Sequence, residues 1–107
     1  MPKYVYSTPP PPREAAEVIE IFGMTPLRAA ILRHLWQSPD GATSGDIGRY
    51  LKVNYRTVAR HLVRLEELGA VESDADIDRQ GVRVIYKVSA DGFDSAVTEL
   101  LQYLKGR

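Results

Sequence analysis

The sequence predicts a mainly helical α+β domain, and three observations carry that prediction. Residues 54–65 place Val58, Leu62 and Leu65 on one face of a helix, at spacings of four and three, and Arg56, Arg60 and Arg64 on another, each four apart. Residues 70–78 and 82–88 alternate apolar and polar side chains about an Asp78-Arg79-Gln80-Gly81 tip, the pattern of a half-buried hairpin. Residues 91–105 return to helical spacing, with Phe93, Val97, Leu100 and Leu104 at intervals of four, three and four.

The elements follow in chain order. Residues 1–12 form a proline-rich arm ending in Pro9 to Pro12, which cannot be helical. Two readings of it stand: a flexible tail, or a stiff arm laid on a partner subunit or on DNA. Lys3 or Arg13 would supply the charge, and Tyr4 and Tyr6 the packing groups. The folded domain then spans 13–107. Arg13 to Phe22 reads as a short helix with Ala15, Val18, Ile19 and Phe22 on its inner side, and Gly23 ends it. Thr25 caps the next helix, Pro26 occupies its first position, and Leu27, Ala30, Ile31 and Leu35 form its buried stripe to about Gln37, with Trp36 at the edge. Ser38-Pro39-Asp40-Gly41 is turn chemistry. Thr43 or Ser44 caps a third helix, which faces inward through Ile47 and Leu51.

A tight connection at 52–54 leads into the arginine-bearing helix, about 55–68, which Gly69 terminates. In the first strand Val71, Ser73, Ala75 and Ile77 alternate with Glu72, Asp74, Asp76 and Asp78. In the second, Val82, Val84, Tyr86 and Val88 share a face and Ile85 takes the other. Asp91 caps the last helix, whose apolar side Ala96, Leu101 and Tyr103 widen.

Composition narrows the function classes. A chain of 107 residues makes one domain with one modest core. The absence of cysteine excludes a disulfide framework, a thiolate metal site and thiol redox chemistry, and it fits a reducing cytoplasm. The N-terminus lacks the basic-then-apolar order of a signal peptide, and no apolar run is long enough for a bilayer, so no membrane association is expected. The net charge is zero, but the charges are segregated. Lys52, Arg56, Arg60 and Arg64 stand in a stretch without acids. Glu66, Glu67, Glu72, Asp74, Asp76 and Asp78 follow without a base, and Arg79, Arg83 and Lys87 come after them. Such segregation puts a positive face on a neutral molecule, and a polyanion meets the face rather than the sum. Arginine reads guanine edges bidentately and pairs well with phosphate. The plainer reading is a solvated basic helix face.

The order helix, helix, short helix, tight turn, helix, hairpin, helix resembles a winged helix-turn-helix transcriptional regulator. The recognition helix would be about 55–68, the wing about 70–88 and the C-terminal helix about 91–105. Within that group the chain most resembles the ArsR-type repressors, and the MarR-type proteins more distantly. The residues carrying the resemblance are Met24-Thr25-Pro26-Leu27-Arg28 with Ile31-Leu32, Ser44-Gly45-Asp46-Ile47 and Thr57-Val58-Ala59-Arg60-His61-Leu62. Leu65-Glu66-Glu67-Leu68-Gly69-Ala70-Val71 and Gly81-Val82-Arg83-Val84-Ile85-Tyr86-Lys87-Val88 complete it.

The resemblance implies a homodimeric repressor that reads a palindromic site in double-stranded DNA, one recognition helix per half-site. It places Tyr55, Arg56, Thr57, Arg60 and Arg64 toward the groove, Ser44 on a phosphate at a helix end, and Arg79 and Gln80 at the wing tip. His61 falls at the edge of the buried face, where packing and DNA contact are equally open. Phe93, Val97, Leu100, Leu101 and Leu104 would form the dimer interface.

Two features depart from the family pattern. Metal sensing by cysteine pairs or His/Asp clusters has no counterpart in a chain with only His34 and His61, so no metal and no cofactor is expected. Asp74, Asp76 and Asp78 have the spacing that opens a calcium loop. Arg79 stands where that loop needs glycine and Ile85 where it needs glutamate, so these acids read as a solvated strand face. Close to phosphates they would repel DNA, so either the strand points away from it or the wing does not dock closely. The competing reading is a winged-helix module that binds protein, or a non-specific architectural DNA binder. Neutral charge, the acidic strand and the proline arm favour the protein module. Enzymatic activity is not expected, since no Gly-rich phosphate loop or nucleophile-and-base motif is present.

Overall fold

Helix boundaries follow the capping residues closely. The elements are α1 (Arg13–Ile21), α2 (Pro26–Trp36), α3 (Ser44–Leu51), α4 (Tyr55–Glu67), β1 (Val71–Ser73), β2 (Tyr86–Val88) and α5 (Ala90–Leu104). The structure is a computed structural model that describes residues 11–74 and 84–106. At α2, Thr25 Oγ1 accepts from the Arg28 N–H at 3.1 Å, with Pro26 in the first turn. At α3 the cap is Thr43 and it is reciprocal: Thr43 Oγ1 accepts from Asp46 N–H at 3.0 Å, and Asp46 Oδ2 accepts from Thr43 N–H at 3.2 Å. Asn54 caps α4 through the Arg56 N–H at 2.8 Å. Each such cap is worth about 1 kcal/mol because it satisfies an amide that the helix cannot.

The cap expected at Asp91 is instead Ser89, whose Oγ accepts from the Gly92 N–H at 3.2 Å. Ser89 is held in place by its own N–H, which donates to Ala70 O at 3.0 Å, so the helix begins as soon as the chain leaves β2. Asp91 falls in the first turn, where its charge suits the positive helix end.

α4 ends as the sequence requires. Gly69 takes φ +86°, Ala70 N–H donates to Leu65 O and Gly69 N–H to Glu66 O, the paired bonds that close a helix on a left-handed glycine. α3 ends in the same way with a lysine. Lys52 takes φ +59°, and Val53 N–H donates to Gly48 O at 2.9 Å. A non-glycine residue in this conformation costs about 1–2 kcal/mol.

The core joins all the helices to the hairpin. Ile31, Ile47, Val58, Leu62 and Leu65 are wholly buried, and Leu32, Leu35, Val71, Tyr86 and Ala96 are nearly so. Each large side chain buried this way contributes about 1.5–3 kcal/mol. Leu32 joins Ile31 and Leu35 beyond the expected stripe, because α2 is covered on two sides, by α3 and by β2. On α1 the expected inner residue Ile19 is 37% exposed, whereas Ile21 is 2% exposed. The reason is register: α1 packs on α5 along Ala15, Val18 and Ile21, one spacing of three after another, and that line leaves Ile19 outside.

β1 and β2 pair antiparallel with Val71 opposite Val88, Glu72 opposite Lys87 and Ser73 opposite Tyr86. The alternation read from the sequence appears as buried Val71, exposed Glu72 and half-buried Ser73. Both strands are shorter than 70–78 and 82–88 would allow. Val84 and Ile85 precede β2 rather than joining it, and residues 75–83 lie outside the described part. Asp74 still bonds across to Ile85, accepting its N–H on Oδ1 at 3.0 Å. On its other edge β2 is met by Ala42, which exchanges both backbone bonds with Tyr86. Gly41 makes this approach possible, since a Cβ there would press on Tyr86 O and the Ile85 side chain.

Gly48 is the tightest point of the α3–α4 pair. A Cβ on it would lie 2.8 Å from Val53 O and 3.2 Å from Tyr55 Cα. Gly48→Ala is therefore expected to lower stability by about 1–3 kcal/mol despite alanine's better helix propensity, measured by chemical denaturation.

Candidate nucleic-acid interface

The packing of α4 decides which of its side chains can meet a ligand. With Val58, Leu62 and Leu65 inward, Tyr55, Arg56 and Arg60 are exposed and Thr57 is half-buried beside them. The Arg56 guanidinium carbon lies 5.6 Å from the Tyr55 ring centroid, within cation–π range, which presents the two as one flat surface. Arg60 Nη2 reaches Thr57 Oγ1 at 3.4 Å. Among the described residues neither Arg56 nor Arg60 is paired with a carboxylate.

Where α3 meets α4 the surface opens into a shallow groove of about 470 Å³, lined by Gly45, Gly48, Arg49, Lys52, Asn54 and Arg56 among others. Lys52 and Arg56 bring positive charge to it. Arg49 does so in part, because Asp46 Oδ1 holds its guanidinium at 2.6 Å. Arg49 is a site residue that the arginine spacing of the next helix gives no reason to include. Its partner at three residues' distance was legible, its position beside Lys52 and Arg56 was not. Ser44 opens α3 next to the capping box, half-buried, and the Asp46 carboxylate shares that helix end with any anion that Ser44 would bind.

Arg64 departs from the expectation of three equivalent guanidinium groups on a face without carboxylates. Its Nε and Nη2 donate to the two oxygens of Glu20 at 2.6 and 2.7 Å, and its Nη1 donates to Glu67 Oε1 at 3.1 Å. Glu20 comes from α1, 44 positions away in sequence, so no local pattern announces it. The bidentate bond lowers the Glu20 pKa against a smaller opposing effect of burial, and the two carboxylates raise that of Arg64. Among the described residues, the cations of α4 without a carboxylate partner are thus Arg56 and Arg60.

His61 points toward α2. Its Nδ1 accepts from Arg28 Nε–H at 3.2 Å, and Arg28 Nη1 donates to Glu20 O at 2.8 Å. Burial first, then the nearby charges of Arg28 and Arg60, lower the His61 pKa. Of the two openings left by the sequence, packing is the one that this geometry favours.

Residues 24–74 match a helix-turn-helix domain family. Solved structures extend the likeness over more of the chain. One is a possible transcriptional regulator from Methanosarcina mazei Go1, 20% identical over 84% of this chain and 78% of that one, with a TM-score of 0.66. A second is the homodimeric winged helix-turn-helix DNA-binding domain of Mb0332 from Mycobacterium bovis, a possible ArsR-family regulator. It is 22% identical over 88% of this chain and 84% of that one, with a TM-score of 0.60. A third is MepR of S. aureus in its complex with DNA, 23% identical over 88% and 77%, with a TM-score of 0.56. No curated protein matches the chain in sequence.

The chain has the winged helix-turn-helix fold.

This is the fold that the order of elements and the motifs implied. In the winged-helix frame α3, the turn at 52–54 and α4 form the helix-turn-helix, and β1 and β2 are the base of the wing. Arg79 and Gln80, expected at the wing tip, lie outside the described residues. On the last helix of the winged domain the expected interface divides in two. Phe93 packs edge-on against Phe22 at 5.2 Å and against the half-exposed Trp36 at 5.8 Å, and both Phe93 and Leu100 are half-buried against the core. Val97, Leu101 and Leu104 remain exposed, the last two at 47% and 66%. Among the described residues no His, Asp and Glu group has the arrangement of a metal site, and no helix is long and apolar enough to cross a membrane.

The lowered His61 pKa gives a signed prediction. The unfolded state binds the proton at a higher pH than the folded state does, so stability from this group is full above about 6.5 and is lost as pH falls toward the folded value. Thermal unfolding from about pH 7.5 to about 5.5 should show that loss, and His61→Gln should flatten it.

Proposed function

We propose that the protein is a sequence-specific transcriptional regulator, a homodimeric repressor that reads a palindromic site in double-stranded DNA through the major groove. The observation that carries this reading is the outward face of α4, where Tyr55, Arg56 and Arg60 stand free of carboxylates at the start of a helix that follows a helix-turn. An α-helix fits the major groove, and side chains on its first turns meet base edges there. Thr57 orients Arg60, Ser44 meets a phosphate at the start of α3, Lys52 meets one from the α3–α4 groove, and Arg79 and Gln80 extend the contact from the wing. Lys52 supports this reading in a second way. Glycine would suit its left-handed backbone better, and only a side chain with a charge gains from an anion in the groove.

The dimer is supported by α5. Val97, Leu101 and Leu104 leave an apolar stripe on its outer side that a second copy would cover about a two-fold axis. MepR is seen in complex with DNA and Mb0332 contributes a homodimeric domain, and both have this architecture.

Arg60→Ala is expected to weaken binding to the cognate duplex by about 1–3 kcal/mol and to relax base preference at one position per half-site. Fluorescence anisotropy on duplexes enriched from a random pool would measure both. Wild-type affinity in that variant, with the dimer intact, would remove the groove assignment. A complex that ignores salt concentration would instead favour the protein-binding module. Independently, Leu101→Glu is expected to convert the dimer to a monomer in sedimentation velocity while the helical circular dichroism stays unchanged. A charge on an exposed stripe costs the assembly and not the fold.

A further inference from the structure

The Glu20–Arg64 bridge joins the helix that packs on α5 to the helix that carries the free arginines. Its geometry is bidentate, with both carboxylate oxygens taken at 2.6 and 2.7 Å. Glu20 is fixed at its backbone as well, because Arg28 donates to its carbonyl at 2.8 Å while holding His61 of α4 through Nε. Glu67 takes the remaining nitrogen of Arg64 at 3.1 Å. Arg64 nevertheless stands on the working side of the helix: Arg60, Arg64, Ala59, Val63 and Glu67 line one open concavity. A cation is thus present on the face that would meet DNA, and two carboxylates neutralise it in place.

We propose that Glu20 limits the strength of DNA binding: it withholds Arg64 from the phosphate backbone, so that α4 meets DNA with two free guanidinium groups rather than three. This rests on the DNA-binding reading above. The physical reason lies in how the two kinds of binding scale. Non-specific affinity comes almost entirely from phosphate contacts, whereas base readout comes from side chains at groove edges. Removing one cation from the phosphate set lowers binding to every sequence and leaves the contacts of Tyr55, Arg56 and Arg60 intact. The ratio of specific to non-specific binding is unchanged, but the absolute grip on the many competing non-cognate sites is weaker and less steeply dependent on salt. A bidentate carboxylate suits this task because it matches the guanidinium fork that a phosphate would otherwise take.

The test uses the full chain and a random-sequence duplex, with affinity measured by anisotropy across a salt series. Glu20→Gln is expected to bind the duplex more tightly at low salt. The slope of log affinity against log salt should steepen by about 0.9 for each Arg64 released. Arg64→Gln is expected to keep the wild-type slope, because in the wild type that arginine touches no phosphate. Glu17→Gln removes the same charge from the exposed side of α1, where its partner is Arg13, and is expected to leave the slope unchanged.

Three results would overturn the proposal. One is an unchanged slope in a folded Glu20→Gln protein. Another is a shallower slope in Arg64→Gln, which would place Arg64 on phosphate already. The third is an equal steepening in Glu17→Gln, which would reduce the effect to net charge. If the wild type binds no duplex at low salt, the DNA-binding reading falls and this inference falls with it. A wild type with a clear salt slope that Glu20→Gln does not change defeats the inference alone.

Discussion

Everything outward-facing in this protein depends on the burial of one stripe of α4. Val58, Leu62 and Leu65 have no exposed surface, and Ile47 of α3 is sealed with them. A helix turns by roughly 100° per residue, so any rotation large enough to re-aim an arginine would carry a leucine into water. The core thereby sets the direction of Tyr55, Arg56 and Arg60 without touching them. Gly48 sets the second coordinate, the separation of the two helices, because backbone of the turn and of Tyr55 occupies the space where a side chain would begin. The exposed face of α4 is thereby set in both orientation and spacing relative to α3.

The hairpin is anchored by a different set of forces. Tyr86 is buried in the core, pairs with Ser73 on one side and exchanges backbone bonds with Ala42 on the other, so the base of the wing is tied to the loop before α3. The neighbouring Ser73 hydroxyl donates to Glu66 on α4 at 2.7 Å. Two of the acids that make the α4–β1 segment so negative thus have structural employment. Glu66 holds the strand and Asp74 prolongs the ladder by accepting the Ile85 amide. A chain of zero net charge keeps a positive helix face because these acids sit at the end of α4 and in the hairpin, away from Arg56 and Arg60 at its start.

The arginines of α4 look alike in sequence and differ in the fold. Arg56 lies over Tyr55, Arg60 leans on Thr57, and Arg64 is clasped by carboxylates from two helices. The gradation runs along the helix, free at its start and neutralised toward its end. α1 therefore does more than cover α5, because its last turn carries Glu20 against α4 and offers a carbonyl to Arg28 of α2. Through these bonds the apolar side of the domain and the basic side share one short helix.

The sequence by itself determined the order of elements, their ends and the inner face of most helices. These are local properties: a cap is satisfied within three residues, as at Thr43 and Asp46, and a buried stripe repeats within one turn, as at Val58, Leu62 and Leu65. Local pattern failed where a neighbour chose between near-equal options. Ile19 and Ile21 are both apolar, and only the line of contact with α5 selects Ile21. Asp91 is a good capping residue, but the strand before it delivers Ser89 to that position first. Phe93 belongs to the apolar stripe of α5, and contacts with Phe22 and Trp36 half-bury it within the chain itself. The fate of Arg64 lay furthest from view. Its partner is 44 positions distant, and an attraction between charges leaves no periodic trace in the chain. Sequence fixes what a few consecutive residues can satisfy among themselves, and the tertiary structure decides which distant groups are brought close enough to satisfy the rest.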